Sequence, residues 1–239
     1  MTRLLLASDF DGTLAPIHPD PDAVRIDPRA LELLRGAAQM ERVQLALVSG
    51  RDVDDLRARA GGLPAWYSGS HGLEIVAPDG SRVKTTEPWS GRPDPDWLQR
   101  ASAAGLRLEP KRYGIGVHWR GAAGIDESHP LIRELEEWAA ARGLSLIHGR
   151  MVVEASVAGS TKRDVLAFLA DRTGAERIVY AGDDLTDFPA LELAATRGRG
   201  LFVASAERPE GAPPGVETVR DRDELLAAFE QELARAADA

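Results

Sequence analysis

The stretch Leu4-Leu5-Leu6-Ala7-Ser8-Asp9-Phe10-Asp11-Gly12-Thr13 opens as an unbroken apolar run and then breaks into two carboxylates and a glycine. Such a run, bounded by a turn signal, predicts a strand buried on both faces, as in a parallel sheet covered by helices. Two acids at the mouth of that strand serve no folding purpose, because like charges repel and desolvation penalises both. Side chains two positions apart on an extended segment share a face. Asp9 and Asp11 therefore point one way and Phe10 the other, toward the core, while Gly12 permits a sharp turn beneath them.

The pattern repeats outward from this point. Asp27-Pro28 starts a helix whose Leu31, Leu34 and Ala38 share a face. Val43 to Val48 reads as a second buried strand that runs straight into Ser49-Gly50-Arg51. Asp52 to Ala60 is a short helix closed by Gly61-Gly62, and Ala65 to Ser68 a third strand. Strand, helix, strand, helix in this rhythm predicts a parallel sheet with right-handed crossovers.

Past residue 70 the rhythm changes. An alternating segment folds back around Pro78-Asp79-Gly80, and the stretch EPWSGRPDPDW (residues 87–97) carries three prolines. Beyond it come a helix over Trp97 to Ala104, strands over Leu106 to Leu108 and Ile115 to Trp119, an amphipathic helix over Pro130 to Arg142, and strands over Leu144 to Ile147 and Val152 to Glu154. Arg112-Tyr113, between two of these strands, could reach a substrate but also reads as an ordinary hairpin turn. The α/β rhythm resumes with a helix from Thr161 to Arg172, a strand over Arg177 to Ala181, a helix from Asp187 and a strand over Leu201 to Val203. A loop around Pro213-Pro214-Gly215 leads to a last helix with Leu225, Phe229 and Leu233 on one face. The expected architecture is α/β: a parallel-sheet core over residues 1–86 and 158–239, interrupted by a smaller α+β unit over residues 87–157.

Composition narrows the function classes. The chain has 239 residues, 44% apolar and 28% charged, with a net charge of −9, which argues against a nucleic-acid surface. There is no cysteine, so disulfides and thiolate zinc sites are excluded. The apolar start is too short for a membrane span. The expected protein is a soluble cytoplasmic monomer acting on a small molecule, without nucleic-acid or membrane partners.

Ligands of open α/β sheets bind beyond the carboxyl ends of the strands. After the first strand stand Asp9 and Asp11, after the second Ser49, and after the strand at 177–181 the run Gly182-Asp183-Asp184-Leu185-Thr186-Asp187. Lys162 opens a core helix. Asp9 and Asp183, from different loops, make an oxygen-rich site suited to Mg²⁺. Ser49 and Lys162 supply donors for phosphoryl oxygens. A carboxylate in line with a phosphoryl group can act as nucleophile, and a second acid two residues on can protonate the leaving oxygen and then activate water. Each piece alone has an ordinary reading: Asp-Gly-Thr is a common turn, and a lysine at a helix start is usually solvated. The combination, in this order and after these strands, is what points to chemistry.

That series, DxDGT at Asp9–Thr13, a strand-end serine, a lysine and GDDLTD, resembles the motifs of the haloacid dehalogenase-like (HAD) phosphatases over essentially the whole chain. The insert matches the second cap position of that superfamily. DFDGTLAPI, VSGR, YSGSHGLEI, VHWR and AGDDLTD are similar, more narrowly, to the trehalose-6-phosphate phosphatases. The resemblance implies a Rossmann-like HAD core with an inserted cap that sets substrate specificity. It implies Asp9 as nucleophile, Asp11 as general acid/base, and Thr13, Ser49, Gly50 and Lys162 around the phosphate. It implies Mg²⁺ held by Asp9, the backbone carbonyl of Asp11 and Asp183, with Asp187 supporting directly or through water and Asp184 orienting its neighbours. Sugar contacts are implied from Gly69, Ser70, His71, Gly72, Glu74, His118, Arg120 and Glu154. His118 and Trp119 alternate on a strand, so only one faces the ligand, and Trp119 reads as core.

The chain departs from the family where Glu154-Ala155-Ser156-Val157 lacks the usual proline, where Arg163 follows the lysine, and where Phe188-Pro189 follows GDDLTD. These changes bear on the sugar and leave the phosphoryl machinery intact. The expected reaction is Mg²⁺-dependent hydrolysis of trehalose 6-phosphate through an aspartyl-phosphate. The alternatives are a phosphatase of another sugar or polyol phosphate, of glucosylglycerol-phosphate or mannosyl-phosphoglycerate type, a phosphomutase, or a non-catalytic binding module.

Overall fold

The opening run forms β1 (Leu4–Ser8), buried along its whole length in a computed structural model that describes residues 3–18, 20–149, 151–205 and 211–238. The outer limits expected for the core, 1 and 239, lie outside these residues. Alternation sends Leu4 and Leu6 into one apolar layer and Leu5 and Ala7 into the other, which is why the run has no polar face.

Helix α1 (Pro28–Ala37) follows, its start fixed by Asp27, whose side chain accepts from the backbone N–H groups of Arg29 and Ala30. Next come β2 (Val43–Val48), α2 (Val53–Arg59) and β3 (Trp66–Gly69). Two short strands extend the sheet, β4 (Glu74–Val76) antiparallel to β3 and β5 (Arg82–Lys84) antiparallel to β4. The chain continues through α3 (Pro95–Ala103), β6 (Arg107–Lys111), β7 (Gly114–His118), α4 (Pro130–Ala140), β8 (Ser145–Gly149) and β9 (Val152–Ser156). It closes with α5 (Lys162–Thr173), β10 (Arg177–Gly182), α6 (Phe188–Arg197), β11 (Gly198–Val203), β12 (Glu217–Val219) and α7 (Arg222–Asp238).

Two compact units result, one of Met1–Thr85 with Ser160–Ala239 and one of Thr86–Gly159. The larger holds an eight-stranded sheet in the order β12-β11-β10-β1-β2-β3-β4-β5, parallel from β12 to β3. Leu34, Leu56 and Phe229, from α1, α2 and α7, pack with one face, and Leu166, Leu169 and Leu191, from α5 and α6, with the other. The sequence reading left β12 inside a loop, because Glu217-Thr218-Val219 is too short to carry a pattern.

The smaller unit is an antiparallel sheet in the order β6-β7-β9-β8. Ile115, Val117, Val153 and Ala155 face Trp97, Leu131 and Leu135 of its two helices, and Trp119 is in the same core. The opposite face carries the alternate residues of β7 and β9, His118 and Glu154 among them. No helix among the described residues is long and apolar enough to cross a membrane.

Candidate active site

Parallel pairing brings the carboxyl ends of β1 and β10 side by side, with Ser8 opposite Ala181. The backbone N–H of Asp9 donates to the carbonyl of Ala181 at 2.8 Å, so the loops after both strands start from one point. Residue 12 adopts φ +87°, and a Cβ there would stand 2.2 Å from Asp183 Oδ2. Only glycine satisfies both the turn and that approach. Phe10 is wholly buried, as the alternation requires.

Asp9, Asp183 and Asp187 are buried, and one carboxylate oxygen of each lies within 4.8 Å of the others. Lys162, the first residue of α5, extends Nζ to 2.7 Å from Asp9 Oδ1 and 2.7 Å from Asp187 Oδ1. A reciprocal cap between Thr161 and Asp164 fixes that helix start. Asp187 also accepts from the Tyr180 hydroxyl at 2.6 Å and from the Asp184 backbone N–H at 3.1 Å. Thr13 Oγ1 is 3.5 Å from Asp9 and 3.4 Å from Asp183, long contacts for a hydroxyl.

The electrostatics are unbalanced. Burial pushes the Asp9 carboxyl well above the carboxylate range; Lys162 pulls it back, and Asp187 and Asp183 push it further. Burial alone would depress the Lys162 ammonium, but Asp187 and Asp9 outweigh it and hold the group above the ordinary lysine value. Tyr180 is raised by burial first and by the neighbouring Asp187 and Asp9 next. A buried acidic cluster with one ammonium among its carboxylates calls for a cation, and an all-oxygen donor set suits a hard one.

Ser49 follows β2 directly, buried, with its Oγ accepting from the Arg51 backbone N–H at 3.1 Å. The loop Gly69–Gly72 is stapled beside it. Ser70 Oγ donates to Asp52 at 2.9 Å, His71 N–H to the Ser49 carbonyl at 3.3 Å, and Ser160 N–H to the His71 carbonyl at 3.1 Å. Ser70 and His71 hold φ of +48° and +53°, consecutive left-handed residues that are rare outside functional loops. The His71 ring stands where a Cβ on Gly50 would be, 2.7 Å away.

The expected sugar residues divide between the two units. Gly69, Ser70, His71, Gly72 and Glu74 belong to the larger, His118, Arg120 and Glu154 to the smaller. Glu74 is buried, and Arg82 Nη1 donates to its carboxylate at 2.8 Å. Arg120 is exposed on the turn after β7. His118 Nε2 sits 2.6 Å from Glu109 Oε2, and Lys111 Nζ 2.5 Å from Glu154 Oε2, on the face of the small sheet turned away from its two helices.

Sequence reasoning missed four residues here. Tyr180 lies within an apolar strand and reads as core. Glu109 and Lys111 lie beyond Leu108, where the expected strand stopped short of the observed β6. Arg51 was visible in VSGR without a role; in the structure its Nε and Nη2 donate to Asp11 Oδ2 and Oδ1, both at 2.7 Å.

The family model for Trehalose-phosphatase matches residues 7–197, a span that contains every residue of this cluster. The chain belongs to the trehalose-phosphatase family. Among curated relatives of this trehalose-phosphatase chain, the trehalose-phosphate phosphatases of Mycobacterium tuberculosis and Mycobacterium bovis are 34% identical over 244 residues, 95% of this chain. The chain spans about 60% of the length of those relatives. Among solved structures, the C-terminal domain of Candida albicans trehalose-6-phosphate phosphatase superposes with a TM-score of 0.74 over 98% of this chain and 92% of that one, at 18% identity. A HAD-superfamily phosphatase from Bacteroides thetaiotaomicron follows with a TM-score of 0.65 over 97% and 95%, at 19% identity. At these identities the structural likeness speaks to the fold alone.

Proposed function

We propose that the chain hydrolyses a phosphomonoester through an aspartyl-phosphate, with trehalose 6-phosphate as its substrate. The observation that carries this reading is the convergence of Asp9, Lys162, Asp183 and Asp187 at the adjoining ends of β1 and β10 in a chain of the trehalose-phosphatase family. Asp9 Oδ attacks phosphorus, and the alcohol leaves with a proton from Asp11. Water then attacks the phospho-Asp9 group, giving its proton to Asp11, and inorganic phosphate departs. Lys162 neutralises charge on the nucleophile and on the transferred group. Thr13 and Ser49 border the phosphoryl group.

Asp9, Asp183 and the backbone carbonyl of Asp11 would hold Mg²⁺, with Asp187 supporting; the buried, all-oxygen cluster fits that ion. When bound, the ion offsets repulsion between an anionic nucleophile and an anionic substrate. On the smaller unit, the polar face bearing Glu109, Lys111, His118 and Glu154 is the sugar-recognising cap surface, charged and bidentate in the way hydroxyl-rich ligands require.

The test is phosphate release from trehalose 6-phosphate alongside a panel of sugar and polyol phosphates, in EDTA and after Mg²⁺ is restored. Mg²⁺-dependent preference for trehalose 6-phosphate, abolished in Asp9→Asn, is expected. Full turnover in Asp9→Asn, or equal rates across the panel, would overturn the reading.

A further inference from the structure

We propose that Arg51 is a positioning residue that fixes the Asp11 carboxylate to serve as base in the water step, an assignment that rests on the phosphatase reading above. Arg51 follows Ser49-Gly50 at the end of β2 and closes a two-pronged fork on Asp11, Nε to Oδ2 and Nη2 to Oδ1, each at 2.7 Å. The Asp11 side chain is 38% exposed, so the fork is what confines it. The fork is itself braced. Arg51 Nη1 donates to Asp55 Oδ2 at 3.0 Å, and both Asp55 oxygens accept from Arg59 Nε at 2.7 Å. Arg59 is buried and anchored on the carbonyls of Asp22 and Val24 at 2.8 and 3.2 Å.

A guanidinium fork that engages both oxygens of a carboxylate fixes its plane and its rotamer together. The remaining lone pairs of Asp11 are then held in a fixed direction. In the water step the new O–P bond forms as the Asp9 Oδ–P bond breaks, its electron pair returning to Asp9. The water proton passes to Asp11, and that proton serves the next leaving alcohol. Three of the Arg51 nitrogens donate to carboxylates, which sets it apart from a phosphate ligand waiting for an anion.

p-Nitrophenyl phosphate isolates this step, because nitrophenolate leaves without an acid. Its kcat/KM reports transfer to Asp9, and its kcat reports the water step once that step limits. Arg51→Gln should lower kcat about 10- to 100-fold, up to the lower end of the 10²–10⁴ that general acid–base catalysis supplies, because Asp11 itself is kept, and leave kcat/KM unchanged. Rapid mixing should show a burst of nitrophenolate equal to the enzyme present. Asp55→Asn, which keeps Arg51 but loosens its brace, should show the same split in smaller measure and guards against misfolding of the first variant. A parallel fall of kcat and kcat/KM would make Arg51 a phosphate ligand and overturn the assignment. An unchanged kcat in both variants, with Asp9-dependent turnover intact, overturns it alone. Wild-type protein without Asp9-dependent turnover overturns the phosphatase reading and the assignment with it.

Discussion

Replacing Asp183 by asparagine should stabilise the metal-free protein. Oxygens of Asp9, Asp183 and Asp187 lie within 4.8 Å of one another, all three residues are buried, and the Lys162 ammonium lies among them. At 4.8 Å and an effective dielectric of about 20, each like-charged pair repels by about 3.5 kcal/mol. The substitution removes two such pairs, about 7 kcal/mol; after the accompanying loss of attraction to the ammonium and relaxation of the cluster, a net gain of about 2 kcal/mol is the expected remainder. Asparagine keeps a side-chain oxygen for the contact with Thr13 Oγ1 at 3.4 Å. For a chain of 239 residues that gain is a melting temperature about 4–8 °C higher. The assay is a circular-dichroism or calorimetric melt at pH 8 in EDTA, repeated with Mg²⁺. At about a hundredfold excess over its Kd, Mg²⁺ should add about 2.7 kcal/mol to the wild type and little to the variant, reversing their order. A variant that melts at or below the wild type in EDTA refutes the charge-crowding argument.

The same crowding sets a pH dependence. With the Asp9 carboxyl raised, the folded protein keeps a proton that the unfolded chain has lost, so stability in EDTA falls as pH rises from the ordinary carboxylate range through the raised value. The slope is at most about 1.4 kcal/mol per pH unit, and melts of Asp9→Asn across the same range should lack it. Gly12→Ala places a Cβ 2.2 Å from Asp183 Oδ2 at a φ of +87°, so it should lower kcat/KM for phosphate release about 100-fold by displacing the carboxylate. Glu232→Ala leaves Arg177, which donates to the buried carboxylate at 2.7 and 3.1 Å, without its partner. With Arg177 partly exposed, the expected cost is about 2 kcal/mol, read as a lower melting temperature with kcat unchanged.

What the sequence disclosed follows from how local its signals were. β1, β2 and β10 are short apolar runs between turn residues, and each ends in a polar motif, so strand and site residue are read from one stretch. Asp9, Asp11, Ser49, Asp183 and Asp187 were legible as candidates for that reason, and Lys162 because it opens a core helix. β12 was not, because three residues hold no period and pairing with β11 alone defines it. Arg51 escaped for a different reason: its partner Asp11 lies forty residues away, and only the pairing of β1 with β2 brings the two loops together. Glu109 and Lys111 flank Pro110, which demotes a strand in any local reading although β6 is an edge of the small sheet, where proline is tolerated.

Asp187→Asn, the same charge change as Asp183→Asn in the same cluster, should move stability the other way. Oδ1 of Asp187 accepts from Lys162 at 2.7 Å and from Tyr180 at 2.6 Å, and Oδ2 accepts from the Asp184 N–H at 3.1 Å. The substitution removes two repulsions of about 3.5 kcal/mol each but loses an attraction of about 6 kcal/mol to an ammonium at 2.7 Å, so the Coulomb terms nearly cancel. Hydrogen bonding then decides the sign. Asparagine has one acceptor oxygen; if it serves Lys162 and Tyr180, its amide N–H meets the Asp184 N–H, and a buried donor is left unsatisfied at about 1–3 kcal/mol. Turning the amide over sets the same donors against Lys162. The expected result in EDTA is a melting temperature below the wild type for Asp187→Asn and above it for Asp183→Asn, with turnover lost in both. Shifts in one direction for the two variants would mean that Asp187 contributes charge alone, and that its contacts with Lys162, Tyr180 and the Asp184 backbone do not set the geometry of the site.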